Sequence, residues 1–273
     1  MTTPVDASSD AGSPGTVTDD AFLGGKLQLL QPRRGYRAGL DAVLLAAAVP
    51  VGAHLLPQSG GGNMLDVGAG VGTVGLCAAR RIENLTVTLL EREPQLVDLA
   101  TRNIARNGLE DRVGVLMSDA TAQSHSPLGC NLPAESFSVV VANPPYSDCG
   151  RGTPSADPLK RNSNALGSGE TLDQWCRFMA RMCEPGGLAI MIHTAAGLAA
   201  ILAGLENRFG AILAQPLHPR EGEEANRIIV AARKGRRAPL RLLPGIPLHG
   251  CDNAFTPRIT AVLREGAGLD LPI

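Results

Sequence analysis

The order of apolar and polar residues along the chain predicts strands and helices in alternation. Short apolar runs bounded by glycine, proline or polar residues predict buried strands, whereas apolar residues that recur every three or four positions predict helices. The predicted strands lie at residues 26–31, 64–67, 86–90, 113–117, 137–142, 188–192, 211–217 and 228–232. The predicted helices lie at residues 40–49, 71–81, 93–107, 172–183 and 197–207.

This alternation predicts an α/β fold with a mostly parallel sheet. Parallel strands joined by helices are buried between helices on both faces of the sheet. Right-handed crossovers then bring the loops at the carboxyl ends of the strands to one crevice, where ligands bind. Residues 1–20, rich in Ser, Thr, Asp, Pro and Gly, are expected to form a disordered tail. Residues 21–62 are expected to form an N-terminal strand and helix extension, and residues 63–273 the main domain.

Composition is that of a globular protein without a strongly basic surface. Hydrophobic residues make up 44% of the chain, charged residues 19%, and the net charge is −1. Such a chain can bury a sizeable core, but a nucleic acid would have to bind to local basic clusters. Arg33, Arg34 and Arg37 form one cluster, and the run from Arg233 to Arg237 forms another. Solvated surface is the competing interpretation of both clusters.

The sequence carries no signal for export or for membrane insertion. Its six cysteines show no CxxC spacing, and the residues after Met1 lack the charged and apolar pattern of a secretory signal. No apolar run is long enough to span a membrane. These features predict free thiols in a cytoplasmic protein.

A glycine-rich loop after the strand at 64–67 predicts a nucleotide site. Gly68, Gly70 and Gly72 alternate there, and glycines allow a tight turn and the close approach of a ligand. The start of the next helix supplies free N–H groups. The overlapping pattern Gly70-x-Gly72-x-x-Gly75 also fits the dinucleotide fingerprint, which on its own is a weak signal.

Acidic residues at the ends of three successive strands favour an adenosine-type ligand over a dinucleotide. A carboxylate at Asp66 would repel a pyrophosphate but attract the ammonium group of S-adenosylmethionine. Glu91 ends the next strand and is expected to accept hydrogen bonds from two ribose hydroxyls. Asp119 follows the third strand and is expected to bind the adenine amine. Taken singly, Glu91 and Asp119 are equally well explained as helix and loop caps.

The tetrapeptide Asn143-Pro144-Pro145-Tyr146 directly follows the apolar strand at 137–142. A stiff turn explains the prolines but neither the Asn nor one of only two tyrosines in the chain. An aromatic amine is a weak nucleophile. The Asn143 side-chain oxygen and the Pro144 carbonyl can accept its hydrogens and aim its lone pair at a methyl group. With Tyr146 as a stacking face, the tetrapeptide predicts methylation of a planar amine without a covalent intermediate or a metal.

With this loop and this tetrapeptide, the chain resembles the class I amino methyltransferases that carry an NPPY motif. The resemblance implies a Rossmann-like sheet of seven strands, the last two forming an antiparallel hairpin at 211–217 and 228–232. It implies S-adenosyl-L-methionine as the cofactor. The residues expected to bind this cofactor are Asp66, Gly68, Gly70, Gly72, Glu91, Asp119 and Asn143. The residues expected to act in catalysis are Asn143, Pro144, Pro145 and Tyr146.

The flanking segments resemble the bacterial tRNA1(Val) (adenine-N6)-methyltransferase family. The resemblance rests on the run from Leu27 to Ala46 and on the run from Leu217 to Pro244. It implies methylation of the exocyclic N6 amine of an adenine in tRNA, beside the anticodon. Ala38 stands where members often carry Phe, which leaves the exact nucleotide open. The residues expected to contact the substrate are Arg37, Asp41, Lys234, Arg236 and Arg237.

Other functions stay open at this point. NPPY also occurs in families that methylate a protein glutamine or the N2 amine of guanine. A nicotinamide-dependent oxidoreductase would use Gly70–Gly75, and a non-catalytic RNA-binding partner would use neither motif for chemistry. Residues 147–168 are expected to become ordered when RNA binds. His193 and Trp175 are expected to be structural.

Overall fold

The computed structural model describes residues 17–35, 37–51, 62–121, 131–146 and 171–273, and each predicted strand and helix is present in them. The strands are β1 (Val17–Phe22), β2 (Leu27–Pro32), β3 (Gly62–Val67), β4 (Leu85–Glu91), β5 (Val113–Met117), β6 (Phe137–Ala142), β7 (Cys183–Thr194), β8 (Phe209–Arg220), β9 (Arg227–Lys234), β10 (Arg241–Leu242) and β11 (Ile246–His249). The helices are α1 (Leu40–Ala48), α2 (Thr73–Arg81), α3 (Pro94–Arg106), α4 (Leu172–Met182), α5 (Leu198–Leu205) and α6 (Pro257–Thr260).

The central sheet has the strand order β10-β8-β9-β7-β6-β3-β4-β5, with β11 also beside β8. Strands β3 to β7 run parallel, whereas β9 runs antiparallel to both β7 and β8. The seven strands from β3 to β9 are therefore the predicted Rossmann-like sheet with its antiparallel hairpin. The short strands β10 and β11 extend its edge. Prolines next to them interrupt the residue pattern typical of strands, so the sequence does not predict them. Strand order reverses between β3 and β6, which places the expected ligand crevice at their carboxyl ends.

Both faces of the sheet are buried. In β6, Val139 and Val141 belong to an apolar cluster with α1, α2 and α3, whereas Val140 and Ala142 belong to a second cluster with α4 and α5. This alternation is the one expected for a strand covered on both sides. The longest helix, α3, has 13 residues, and within the described part of the chain no helix is long and apolar enough to cross a membrane.

Two asparagine side chains attach the antiparallel hairpin of β1 and β2 to α3. Buried Asn103 accepts a hydrogen bond from the Leu30 N–H at 2.7 Å and donates to the Leu30 carbonyl at 3.0 Å. Asn107, one helical turn later, makes the same pair of bonds to Gln28, both at 3.0 Å. The two amides thus satisfy backbone groups that a neighbouring strand would otherwise satisfy.

This hairpin corrects the expectation that residues 1–20 form a disordered tail. Residues 17–20 form most of β1, and Asp19 within them pairs with Arg106 of α3 at 2.6 Å. A short, mostly polar strand carries too few apolar positions for its period to be recognised. Residues 1–16 lie outside the described residues.

The N-terminal extension shares its core with the main sheet. Leu27 and Leu29 of β2 belong to the same buried cluster as most of α1 and as strands β3, β4 and β6. The predicted boundary between 21–62 and 63–273 therefore marks no break in the apolar core.

The basic run that begins at the end of β9 lies at the edge of the sheet opposite to the crevice. Because β9 is antiparallel to β7, its first residue, Arg227, pairs with Thr194 at the carboxyl end of β7. Arg233, near the other end of β9, pairs with Leu188. The direction of one strand thus separates Arg227 from the run that begins at Arg233.

Lys234, which the sequence places among the expected substrate-binding residues, makes contacts within the fold. Its ammonium group donates hydrogen bonds to the carbonyl oxygens of Ala180 and Cys183, at 2.7 and 2.8 Å. It also forms an ion pair with Glu135 at 2.9 Å, and its side chain is only 18% exposed. Through these hydrogen bonds, Lys234 links β9 to the end of α4 and to the start of β7.

Replacing Asn103 with Ala is expected to lower the free energy of unfolding by about 3 kcal/mol. The variant leaves the buried N–H and carbonyl of Leu30 without their partner, and each such group costs about 1–3 kcal/mol. Urea unfolding measures the change. Arg102→Ala is the control, because the half-exposed Arg102 pairs only loosely with Asp98 at 3.5 Å and is worth about 0.5 kcal/mol. Equal stability of the two variants would contradict the role given to Asn103.

Lys234→Ala is expected to lower the free energy of unfolding by about 2 kcal/mol, the scale of hydrogen bonds from a charged donor. Arg236→Ala is the matched control, since Arg236 is exposed and a surface change of this kind stays within about 0.5 kcal/mol. Thermal and urea unfolding of both variants make the comparison. A fully stable Lys234→Ala protein that has lost RNA affinity would restore the interpretation based on sequence.

Candidate active site

The glycine loop between β3 and α2 is built on backbone conformations that favour glycine. Gly68, Gly70 and Gly72 have φ angles of +68°, +59° and +88°. The N–H of Gly68 donates to the Leu90 carbonyl at 2.8 Å, which ties the loop to the end of β4. A Cβ atom on Gly68 would lie 2.7 Å from a ring carbon of Trp175, so this position has no room for a side chain. The loop therefore takes the shape that the alternating glycines predict.

A first cavity opens beside this loop at the carboxyl ends of β3, β4 and β5. The residues that line it are Pro32, Arg34, Gly68, Gly70, Leu90, Glu91, Arg92, Glu93, Gln95, Leu96, Ser118, Asp119, Ala120, Thr121, Asn143, Pro145 and Trp175. Five of the seven residues predicted to bind the cofactor are among them. The wall combines carboxylates with apolar and backbone groups.

The two acidic residues predicted to bind the adenosine are held by the backbone around them. Glu91 is buried, and its Oε2 accepts a hydrogen bond from the Gly70 N–H at 2.8 Å. Its Oε1 accepts from the N–H groups of Arg92 and Glu93 at 2.8 and 2.9 Å. These three hydrogen bonds fix the Glu91 carboxylate next to the glycine loop.

Asp119 is fixed in a different way. Its Oδ1 accepts from both the N–H and the hydroxyl of Thr121, at 2.8 and 2.7 Å, so it caps its own loop. Its Oδ2 lies 3.7 Å from the Arg92 guanidinium. The capping role considered from the sequence is therefore present, in a residue that also lines the cavity.

Asp66 and Gly72 do not line this cavity. Asp66 is buried behind the loop, and its Oδ2 accepts from the Gly75 N–H at 2.9 Å, which joins the end of β3 to α2. Burial raises the pKa of the Asp66 carboxyl to about 7, the Gly75 hydrogen bond opposes this shift, and the charge of Glu91 adds to it. Gly72 caps the start of α2. The structure thus gives both residues a supporting position, and a contact of Asp66 with the ammonium group, directly or through water, stays a prediction.

A second cavity of about 400 Å³ lies on the other side of the tetrapeptide. The residues that line it are Arg37, Ala38, Gly39, Leu40, Asp41, Asn143, Pro144, Pro145, Tyr146, Pro219, Asn226, Arg227, Leu248 and His249. Its volume falls within the range of about 300–1,000 Å³ typical of ligand sites. Asn143 and Pro145 line both cavities, so the tetrapeptide forms the wall between them.

The Tyr146 hydroxyl is held by a carboxylate from the N-terminal extension. It donates to Asp41 Oδ2 at 2.5 Å and lies 3.2 Å from Asn143 Oδ1. The same Asp41 oxygen accepts from Arg227 Nε at 2.9 Å. Burial, followed by the charge and hydrogen bond of Asp41, raises the pKa of Tyr146 above its usual value. The phenol therefore stays protonated and acts as a donor at neutral pH.

Two further groups fix the Tyr146 ring. The Arg227 guanidinium lies over it, 4.8 Å from the ring centroid, and the His193 ring meets it edge-on at 5.0 Å. Burial lowers the pKa of His193, so this imidazole is neutral at pH 7. Tyr146 is thereby held at its hydroxyl by Asp41, at one face by Arg227, and by the perpendicular ring of His193.

The structure brings together only part of the predicted substrate-binding set. Arg37 and Asp41 both line the second cavity, although Arg37 also pairs with Asp20 at 2.8 Å. Arg236 and Arg237 are exposed and follow Lys234, the last residue of β9, so they do not join Arg37 and Asp41. The proposed ordering of residues 147–168 falls outside the described residues.

Sequence reasoning missed Arg227 and the second role of Trp175. No local pattern around Arg227 predicts a site, because only the antiparallel register of β9 brings it to the crevice. Trp175 is buried in the core as expected, yet it also lines the first cavity. A scarce aromatic residue at the start of a helix was the one available signal for Trp175.

Known proteins resemble this chain over most of its length. The protein-family model of the methyltransferase small domain matches residues 48–156. A tRNA1(Val) (adenine(37)-N6)-methyltransferase from Phocaeicola vulgatus is 27% identical over 73% of this chain and 77% of its own length. A protein of the same name from Aeromonas hydrophila is 25% identical over 83% of this chain and 88% of its own length.

A solved structure shares the fold. It is that of a predicted O-methyltransferase, Atu636, from Agrobacterium tumefaciens, with 29% identity and a TM-score of 0.69 over 85% of this chain and 100% of that one. The strand order with its antiparallel hairpin, the glycine loop and the relatives all agree on the cofactor, S-adenosylmethionine. The chain therefore has the fold of the class I S-adenosylmethionine-dependent methyltransferases and is similar to the tRNA1(Val) (adenine-N6)-methyltransferases.

Proposed function

We propose that this enzyme methylates the exocyclic N6 amine of an adenine in RNA, and that the RNA is a cytoplasmic tRNA. The observation that carries the proposal is the position of Asn143. This residue lines the cavity beside the glycine loop and also the cavity beside Tyr146. A methyl group that passes from a donor in the first cavity to an amine in the second therefore passes next to the Asn143 amide.

The first cavity suits S-adenosylmethionine in its chemistry. Gly68 and Gly70 supply a close backbone surface, and Glu91 and Asp119 supply acceptors for hydroxyl and amine groups. Leu90 and other apolar residues complete a wall on which an adenine ring can pack. Carboxylates at this loop also suit a cationic ligand and disfavour the pyrophosphate of a dinucleotide. When bound, the cofactor supplies an electrophilic methyl group.

The tetrapeptide supplies what the amine needs. Asn143 Oδ1 lies 3.2 Å from the Tyr146 hydroxyl oxygen, whose single hydrogen is donated to Asp41, so the lone pairs of Asn143 Oδ1 stay available to a substrate amine. An amine N–H that donates to this oxygen, and another that donates to the Pro144 carbonyl, are turned away from the ring plane of the substrate. The nitrogen lone pair is then directed at the methyl group, which is catalysis by preorganised acceptors and by positioning.

A flipped-out base is the planar amine that the second cavity fits best. Tyr146 offers an aromatic surface, held by Arg227 and His193, for a base removed from its stack. Arg37, Arg227 and His249 give the cavity basic groups for the phosphates on either side of that base. The tRNA adenine-N6 activity named for the relatives supports adenine over the glutamine and guanine alternatives.

Transfer of a radiolabelled methyl group into total tRNA tests the substrate directly. Digestion of the product to nucleosides is expected to yield N6-methyladenosine. N2-methylguanosine, or label only in protein, would replace the proposed substrate with one of the two alternatives.

Asn143→Ala is expected to lower kcat about 10² to 10³-fold, the usual cost of removing one preorganised partner of a transition state. The loss falls on kcat rather than KM because the amide acts as the nitrogen changes its geometry. Calorimetry with S-adenosylhomocysteine is expected to show a much smaller change in cofactor affinity. Asn143→Asp is the matched variant, since it keeps an acceptor oxygen, and it is expected to retain measurable activity. Equal losses in both variants would show that the acceptor is not what matters.

Asp41→Ala is expected to lower kcat by about tenfold, since a hydrogen bond to a charged group is worth roughly 1.5–3 kcal/mol and part of it is recovered by water. The variant removes the acceptor of the Tyr146 hydroxyl and the partner of Arg227. Asp20→Ala is the control, because Asp20 pairs with Arg37 near the same cavity without touching the tetrapeptide. If both variants keep full activity, the carboxylate of Asp41 does not position Tyr146 for the reaction.

A further inference from the structure

An aromatic pair lies at the rim of the second cavity, away from the tetrapeptide. His249 lines the cavity, and its ring stacks on that of Phe255 with centroids 4.6 Å apart and planes inclined by 25°. Phe255 is 39% exposed, in a chain of which only 3% is aromatic. A large apolar ring kept at the surface beside a binding cavity loses the free energy that burial would provide. At this position the exposed ring is available to a ligand of the neighbouring cavity.

The turn that carries Phe255 is closed on both sides. The Gly250 N–H donates to the Ala254 carbonyl at 2.8 Å, and the Thr256 N–H donates to the Leu248 carbonyl at 2.9 Å. His249 and Phe255 face each other across this closure as an antiparallel bridge. These hydrogen bonds hold the Phe255 ring in one position. A ligand that stacks on the ring therefore loses little binding free energy to the ordering of this side chain.

The position of the pair relative to the tetrapeptide is set by the main sheet. β11 runs parallel to β8, with His249 opposite Arg220 at the carboxyl end of that strand. His249 Nδ1 lies 3.1 Å from the Pro219 carbonyl oxygen, which fixes the imidazole under the Phe255 ring. The pair thus lies at the same edge of the sheet as Asn143, and its member His249 lines the same cavity as Tyr146.

The surroundings of Phe255 indicate nucleic acid rather than an apolar partner. Arg37 and Arg227 line the same cavity, and Arg220 lies on the strand next to His249. Each of these arginines also pairs with one carboxylate, that of Asp20, Asp41 and Glu223 respectively, and keeps further N–H donors for a phosphate. Basic groups around a single exposed aromatic ring are the combination with which proteins bind single-stranded RNA, because the cations follow the phosphates and the ring stacks a base. A protein-binding surface would instead need a wider apolar patch.

We propose that Phe255 is a stacking platform for the nucleobase adjacent to the target adenine. The target base enters the second cavity beside Tyr146, and the neighbouring base of the same single strand stacks on Phe255, supported from behind by His249. This inference rests on the proposed function, since it assigns a second nucleotide subsite to the same RNA. It makes Phe255 a determinant of RNA affinity and of the flanking nucleotide, not of the methyl transfer itself.

The test uses steady-state kinetics of the full chain on a short loop RNA that contains the adenine methylated in total tRNA. Phe255→Ala is expected to raise KM for this RNA about tenfold, within the range for loss of one base–aromatic stack, and to leave kcat unchanged. Phe255→Trp is expected to keep the wild-type KM. The affinity for S-adenosylhomocysteine is expected to be the same in all three proteins.

Abasic RNAs identify the stacked base. Removing the base on one side of the target adenine is expected to raise KM for the wild-type enzyme by the same factor as Phe255→Ala. The variant is expected to show no further loss on that RNA, because the interaction is already absent. Independent, additive losses would overturn the proposal, since they would mean that the ring and the base do not touch.

Two controls keep the outcomes separate. Leu242→Ala removes another exposed apolar side chain, 67% exposed on β10, and is expected to leave KM unchanged. Phe255→Leu keeps apolar bulk if the Ala variant unfolds, and is also expected to raise KM. An enzyme that methylates RNA with an unchanged KM in Phe255→Ala and Phe255→Leu refutes the stacking platform alone. A wild-type enzyme that methylates no RNA refutes the proposed function and this inference together.

Discussion

The geometry of the active site depends on one carboxylate. Asp41 accepts hydrogen bonds from the Tyr146 hydroxyl and from Arg227, and so joins the first turn of α1, the end of β6 and the start of β9. The side chains of Asp41 and Arg227 are only 21% and 29% exposed. Removing one member of a pair that has lost much of its water leaves the other charge poorly solvated. The N-terminal extension is therefore part of the candidate active site, because it supplies the carboxylate that accepts the Tyr146 hydroxyl.

The two cavities differ in charge, although the chain as a whole is nearly neutral. Three carboxylates (Glu91, Glu93 and Asp119) and two arginines (Arg34 and Arg92) line the first cavity, whereas two arginines (Arg37 and Arg227) and one carboxylate (Asp41) line the second. The tetrapeptide separates them with a wall that contains Asn143 and Pro145. Because both cavities share this wall, a methyl donor in the first cavity lies close to a methyl acceptor in the second. The two are positioned for transfer even if they bind independently.

The sequence predicted the fold well, because each local signal agreed with the others. Apolar runs between helical segments require a parallel sheet, and that sheet places the ends of its strands at one edge. Glu91, Asp119 and Asn143 therefore lie together, as expected, although they come from three separate strands. The expectation failed where local signals are weak. The strand at 17–22 is mostly polar and short, so its pairing with β2 was visible only in the structure.

By itself the sequence determined the glycine loop and the tetrapeptide, since both are contiguous segments whose chemistry follows from residue type and order. Only the tertiary structure decided which distant side chains support them. The ion pair of Asp41 and Arg227 spans 186 positions of the chain, and it forms because β9 runs against its neighbours. The same reversal carries Lys234 to the opposite edge, where it binds backbone carbonyls. Strand direction and register are properties of the whole sheet, and no local pattern of residues encodes them.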